Sequence, residues 1–421
     1  MSWPLEQIKT LVVSMARGAH PDYEEGTGFW IANQGTISGY RIEQSRMREC
    51  KPLAGPKGRF KAGDLLVAST GEGVLGKCAL TTASGYCDSH VSIVRCRDRD
   101  DARFLYWWVV GHYETINSLC ALGATKQTEL QRETFLSMPI AMPGRPVRRA
   151  IADFLDRECA LIDQRMEALN GKKALLRDLK ASVREEWTFG TTVPGVRAAS
   201  SEPWHINLPA SWRVERLGNL FREACDFGFT DLPVLSVSIH SGISDKELDD
   251  DALERKVSRS EDRGVYKRVI PGDVVYNQMR AWQGGFGVAK VEGLVSPAYV
   301  VARPRRNVSP EFVEHLLRSP RAIEEMRRRS RGITDFRLRL YWDEFKEMVI
   351  PYPDVPEQRR IASEIDSRIA IVDLEIEVID DLLTALSEQR RALVFESVTG
   401  RLASASSISA SAPSPEMATS K

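Results

Sequence analysis

Two segments of the chain carry apolar residues at a sustained 3–4 spacing. In the first, Leu155, Ile162, Leu169, Leu176 and Val183 recur every seven residues; in the second, Ile365, Val372, Ile379, Leu386 and Leu393 do so in the same register. Ile151, Cys159, Met166 and Leu179 partly fill a companion seam in the first segment, and Ile361, Ile369, Ile376 and Leu383 fill it more completely in the second. Heptads sustained in this way predict coiled-coil helices. The matched registers favour pairing with each other, against the alternative of two amphipathic helices that each pack on their own domain. About forty residues at 1.5 Å each make a rod roughly 60 Å long, enough to hold two domains apart.

The rest of the chain mixes short β-branched runs with helical patterns. Asp64–Ala68, Val91–Val94, Val274–Tyr276 and Tyr299–Val301 predict strands between Gly-rich turns, and Ala102–Thr115 and Pro310–Arg329 predict helices, the latter entered through Ser309 as N-cap. Thr191–Pro203 reads as a linker, and the Ser/Ala/Pro-rich end from Ala403 as a disordered tail.

Set beside itself at an offset near 210, the chain repeats. Ala62-Gly63-Asp64-Leu65-Leu66-Val67 faces Pro271-Gly272-Asp273-Val274-Val275-Tyr276, and Phe135-Leu136-Ser137-Met138-Pro139-Ile140 faces Phe345-Lys346-Glu347-Met348-Val349-Ile350. Gly123-Ala124-Thr125 likewise faces Gly332-Ile333-Thr334, and Trp3 faces Trp212. Each copy ends in one of the heptad segments, entered through Pro146 or Pro356. The chain is two copies of one long unit, and not a solenoid of short repeats.

The length of 421 residues accommodates two or three folded units. No apolar stretch is long enough to span a membrane, and the start lacks a secretion signal, so a cytoplasmic location is expected. Seven cysteines without a CxxC pair then read as reduced thiols. Enzyme chemistry finds little footing. Gly71-Glu72-Gly73-Val74-Leu75-Gly76 resembles a phosphate loop, but a strand pattern follows it where a phosphate cradle needs a helix. Asp251 and Glu254 with Lys256 could imitate a nuclease centre, yet they sit in one charged segment. The six histidines are scattered without metal-binding spacing, and no Asn-Pro-Pro-Tyr or Asp-Pro-Pro-Tyr segment of an amino-methyltransferase occurs. No catalytic residue and no metal ligand is assigned.

Lys+Arg and Asp+Glu are 58 each, but the charges are not evenly spread. From Arg303 to Arg339 there are eleven arginines and five acids; from Asp354 to Glu388 there are ten acids and three arginines. Clustered arginine suits phosphate neutralisation and bidentate readout of guanine; the alternative is a solvated helix face. Asn277, Gln278, Arg280 and Trp282 follow a predicted strand and bring amide, guanidinium and aromatic groups into one loop, with ordinary core packing as the other reading of Trp282. Thr125, Lys126 and Gln127 in the first copy, and Arg331, Thr334, Arg337 and Arg339 in the second, flank or follow the repeated Gly-x-Thr corner. These eleven residues are the candidate DNA contacts.

The motifs of the second copy resemble the specificity subunit of Type I restriction–modification systems. They are Leu208-Pro209-Ala210-Ser211-Trp212-Arg213-Val214-Glu215-Arg216-Leu217-Gly218, Asn277–Val288 with Val295-Ser296-Pro297-Ala298-Tyr299, Pro356-Glu357-Gln358-Arg359-Arg360-Ile361-Ala362, and Glu396-Ser397-Val398-Thr399-Gly400. The first copy departs, with Pro146-Val147-Arg148-Arg149 where Pro-Glu-Gln-Arg stands in the second.

The resemblance implies an α+β protein. Two similar target-recognition domains (1–143 and 208–353) are each followed by a long spacer helix (144–190 and 354–400), the two helices pairing as an antiparallel coiled coil. A linker (191–207) and a tail (401–421) complete the chain. It further implies a non-catalytic subunit that reads a bipartite, asymmetric double-stranded DNA target and docks two methyltransferase subunits and, where present, two restriction subunits. S-adenosylmethionine, ATP and magnesium would be used by those partners. Three other readings stay open: a specificity chain of another modification or phage-defence complex, a stand-alone nuclease built on Asp251 and Glu254, and a coiled-coil scaffold that binds no DNA.

Overall fold

The unbroken apolar runs Leu65–Ala68 and Val274–Tyr276 place each of these strands at the centre of a domain. Leu65 and Val67 face one buried cluster with Phe104, Trp108 and Phe135, while Leu66 and Ala68 face a second with Ile37, Phe60 and Ile93. In the same way Val274 and Tyr276 join Phe286, Phe312 and Phe345, and Val275 joins Leu235, Val269 and Val301. A strand covered on both faces must be apolar throughout, and both runs are.

In a computed structural model of the chain, residues 3–71, 73–122, 129–200, 202–205, 207–239, 242–246, 263–305, 308–332 and 338–402 are described. Two units emerge: one holds the residues up to Leu169 together with those from Asp381, and the other holds Asn170–Asp380. The division cuts both long helices, Arg145–Thr188 and Val355–Thr399.

The units repeat each other in detail. The first contains an antiparallel sheet in the order Val12–Arg17, Val91–Cys96, Leu65–Ala68, Cys78–Leu80. The second has Phe221–Glu223, Tyr299–Pro304, Val274–Asn277, Phe286–Val288 in the same order. Asp64 receives both prongs of Arg95 at 2.8 and 2.6 Å, and Asp273 receives Arg303 at 2.9 and 2.8 Å. In each unit a short two-stranded pair, Leu5–Gln7 with Pro139–Ala141 and Arg213–Arg216 with Val349–Tyr352, ties the start of the copy to its end.

The helices pair antiparallel. Within the second unit Lys173 meets Asp380 and Lys180 meets Asp373 at 2.5 Å, so moving seven residues forward on one helix moves seven back on the other. Within the first unit Asp163 accepts from Arg390 at 2.9 Å. Adding 210 to Asp163 and subtracting it from Arg390 gives Asp373 and Lys180, so the same acid–base pair recurs with the helices' roles exchanged. Leu155, Ile162, Leu176, Ile365, Val372 and Ile379 are buried, and Leu169, Val183, Leu386 and Leu393 are half-buried.

Three expectations are corrected. Leu179 is 47% exposed, so the companion seam does not continue through it. Pro310–Arg329 is two helices, Pro310–Leu317 and Pro320–Arg329. Pro320 lacks the N–H an unbroken helix would use and drives Ser319 out of the helical region, and Ser319 caps the second helix instead. Ser309 holds the N-cap position of the first, as expected, although its hydroxyl donates to Glu311 Oε2 at 2.6 Å and makes no capping bond to the helix backbone. Ala102–Thr115 likewise divides, into Arg99–Gly111 and Tyr113–Cys120. A Cβ at Gly111 would stand only 3.3 Å from Val394, so the first helix ends pressed against the second long helix.

Candidate nucleic-acid interface

In the second unit, the turn after Val274–Asn277 is built to be rigid. Asn277 Oδ1 accepts the Met279 N–H at 3.0 Å, Arg280 N–H returns to the Asn277 carbonyl at 2.9 Å, and Ala281–Gln283 forms one turn of 3-10 helix. Gly284 closes the turn in the left-handed region (φ 86°), which an L side chain resists. Asn277, Gln278, Arg280 and Trp282 are half-buried, with Arg280 Nη1 donating to Gln283 Oε1 at 2.6 Å. Trp282 stands outside the apolar clusters; the Arg327 guanidinium lies 5.9 Å from its ring centre, and its Nε1–H is buried without a hydrogen-bond partner among the described residues.

Arg331 and Arg339 exchange both backbone hydrogen bonds, at 2.9 and 3.0 Å, and Leu340 N–H donates to the Gln278 carbonyl at 3.0 Å. The Arg339 side chain reaches Met279 Sδ at 3.9 Å, while Arg331 is ion-paired to Glu344. Fold and stem thus bring Asn277, Gln278, Arg280, Trp282, Arg331 and Arg339 into one neighbourhood. Thr334 and Arg337, between the stem residues, lie outside the described residues, as do Asp251 and Glu254.

The first unit repeats the arrangement with other side chains. Leu130 N–H donates to the Ser69 carbonyl at 2.8 Å, the counterpart of Leu340 and Gln278, and Ala121–Leu122 pairs with Glu129–Leu130 as the stem. Thr125, Lys126 and Gln127 lie outside the described residues. At its foot the Thr70 hydroxyl sits between Gln34 Oε1 at 2.9 Å and His90 Nδ1 at 2.7 Å. Sequence reading missed Gln34, Thr70 and His90. They are far apart in the chain, no motif links them, and only the fold brings them together.

The arginine-rich segment is less free than its composition implies. Of its nine described arginines at least six meet carboxylates: Arg303 with Asp273 and Asp226, Arg318 with Glu314, Arg321 with Glu185, Arg328 and Arg329 with Glu325, and Arg331 with Glu344. Burial favours the neutral form of Glu325, but the bonds from Arg328 and Arg329 outweigh it and hold the carboxyl below its ordinary range. Arg303 is a structural residue of the sheet. The excess cationic surface is carried by fewer side chains than the count suggests.

Among the described residues no group of three or more His, Cys, Asp or Glu is placed to hold a metal ion, and no helix is long and apolar enough to cross a membrane. His205 is a core histidine: its ring nitrogens meet Ser200 Oγ at 2.9 Å and the Val349 carbonyl at 3.0 Å, and burial lowers its pKa. Cys78–Leu80 is a strand, so the glycines before it lead into a strand and open no helix.

No known family's sequence profile and no curated protein matches the chain. Solved structures do. A chain from a structure of a type I R-M system, described for its complex assembly and conformational transition, is similar over 95% of this chain and 98% of its own, with a TM-score of 0.61 and 17% identity. The HsdS subunit from Thermoanaerobacter tengcongensis gives a TM-score of 0.46 at 15% identity, covering 95% of this chain and 97% of its own. The S subunit of the Type-I restriction-modification system of M. genitalium gives 0.40 at 15%, covering 94% and 96%. The first of these similarities extends the shared fold across nearly the whole chain.

Proposed function

We propose that the chain is the specificity subunit of a type I restriction–modification assembly, a non-catalytic protein that reads double-stranded DNA in two different half-sites. The observation that carries this reading is the repeated stem: in both units a short ladder docks on the residue after the central strand, and the side chains around it differ. Equal scaffolds with unequal readers suit an asymmetric bipartite target. The expected test is base-resolution methylation mapping in cells that carry the chain and the methyltransferase encoded beside it. Arg339→Ala should relax one half-site and Lys126→Ala the other, each by about tenfold at the affected position. Uniform weakening at all sequences would reduce either residue to a phosphate contact.

The methyltransferase subunits, two by analogy, would bring S-adenosylmethionine, and restriction subunits ATP and magnesium. The long helices offer them a surface. On the second helix Ile371 is 71%, Leu374 62% and Val378 50% exposed, at helical spacing, in addition to the seam turned to its partner. Solvent-facing apolar side chains in such a row suit a protein partner. Replacing Ile371 and Leu374 together by aspartate should abolish co-purification of the methyltransferase while leaving the helix content unchanged by circular dichroism. Retained assembly would remove this face from the docking surface.

A stand-alone nuclease predicts cleavage of DNA by the pure chain with magnesium; no cleavage is the expected result.

A further inference from the structure

The Gln34–Thr70–His90 cluster of the first unit has a chemical property that its distances impose. Thr70 has one hydroxyl hydrogen, yet its Oγ1 lies 2.9 Å from Gln34 Oε1 and 2.7 Å from His90 Nδ1. With that hydrogen shared between them, one neighbour accepts and the other must donate. If His90 donates from Nδ1, Thr70 donates to the Gln34 carbonyl. The groups left over are then the Gln34 amide N–H2, a donor, and His90 Nε2, an acceptor. If the Gln34 amide is turned, it donates to Thr70 and Thr70 donates to Nδ1. The groups left over are then the Gln34 carbonyl, an acceptor, and His90 Nε2–H, a donor. With a neutral imidazole, either polarity leaves one donor and one acceptor.

The cluster is held and uncovered. Ser69 N–H donates to the His90 carbonyl at 2.8 Å, which sets His90 beside Thr70, and Thr70 is bridged through its backbone to Glu129 at the foot of the stem. The Asn33 side chain accepts from Gly35 N–H at 2.7 Å and starts the 3-10 turn that carries Gln34. His90 is exposed. A Cβ at Gly71 would lie 2.8 Å from Val74 Cγ2 and 3.2 Å from Gln34 Nε2, so the glycine lets the chain pass close beside the amide without a side chain crowding it.

The geometry points to a base-reading site for adenine in the half-site of the first unit, formed by Gln34 and His90 and set by Thr70 as a positioning residue. Adenine alone among the bases presents one acceptor (N7) beside one donor (N6) in the major groove, whereas guanine presents two acceptors and would leave acceptor facing acceptor. The inference rests on the DNA-reading function proposed above and adds to it which groups read and which base they select.

The test is methylation sequencing of DNA from cells co-expressing the chain and its methyltransferase. Thr70→Val and His90→Ala are each expected to reduce adenine preference at one position of one half-site by about tenfold or more. The other half-site and the gap stay unchanged and control for folding. Thr70→Ser, which keeps the hydroxyl, should retain the wild-type motif. An unchanged motif in both Thr70→Val and His90→Ala overturns the inference, as does relaxation at a guanine or cytosine, or loss of methylation at every site by His90→Ala. A wild-type chain that directs no bipartite methylation defeats the function reading itself; a bipartite wild-type motif that the variants leave intact defeats only the assignment of this cluster.

Discussion

Replacing Asp273 by alanine is expected to destabilise its domain by about 3 kcal/mol, the low end of the cost of breaking a buried ion pair, because Arg303 keeps Asp226. Arg303 is bound through Nε and Nη2 to Asp273 and through Nη1 to Asp226 at 2.7 Å, and the Arg303 and Asp273 side chains are 14% and 1% exposed. Asp273 also accepts the Ile270 N–H at 3.0 Å, so alanine unties the turn before the central strand as well. The same change at Asp64 should cost less, because Arg95 is 38% exposed and water can hydrate it once freed. Urea unfolding of the two variants measures the difference; equal losses would mean that burial of the arginine does not set the cost. In the Asp273 variant Arg303 keeps only Asp226, whose carboxyl the guanidinium holds below the usual carboxylate range. A depressed carboxylate contributes stability above its unfolded pKa and loses it as pH falls through its folded one, and because Asp226 is kept in both proteins this acid loss is common to the wild type and the variant.

A seven-residue insertion between Lys173 and Lys180, matched by one between Asp373 and Asp380, is expected to change the unspecified gap between half-sites without changing their bases. These residues face each other across the helix pair, so equal insertions keep the seam in register. One heptad adds about 10 Å to a helix, close to three base pairs at 3.4 Å each. Methylation mapping should therefore show the same two half-sites with a gap longer by about three. An insertion in one helix alone shifts every heptad partner and should disrupt the pairing. New half-site bases at an unchanged gap would contradict the idea that the helices set the spacing.

Much of this architecture was legible in the chain. The heptads of Leu155 and Ile365 stand out because a long helix pair repeats one local environment, and the duplication shows because both copies keep the same central strand and the same Asp64 or Asp273 corner. Local rules failed where a local signal was weighed too lightly or charge was counted without partners. Pro320 inside Pro310–Arg329 signalled a break that the helical pattern around it concealed. Composition counts Arg303 in a basic cluster suited to phosphate, whereas its geometry makes it a sheet brace. Leu179 fitted the companion seam by spacing, but the face it occupies is exposed.

The order of apolar and polar residues by itself determined the central strands and the two heptad helices, since each depends on a periodicity that the backbone converts directly into a buried face; the antiparallel sense of the pairing was decided by the tertiary structure. Tertiary structure alone decided which polar groups meet: Gln34 with Thr70 and His90, Arg339 with Met279, Glu325 with Arg328 and Arg329. Hydrogen bonds and ion pairs act over about 3–4 Å, and a sequence carries no record of which distant residues come within that reach until the sheet and its stems are folded.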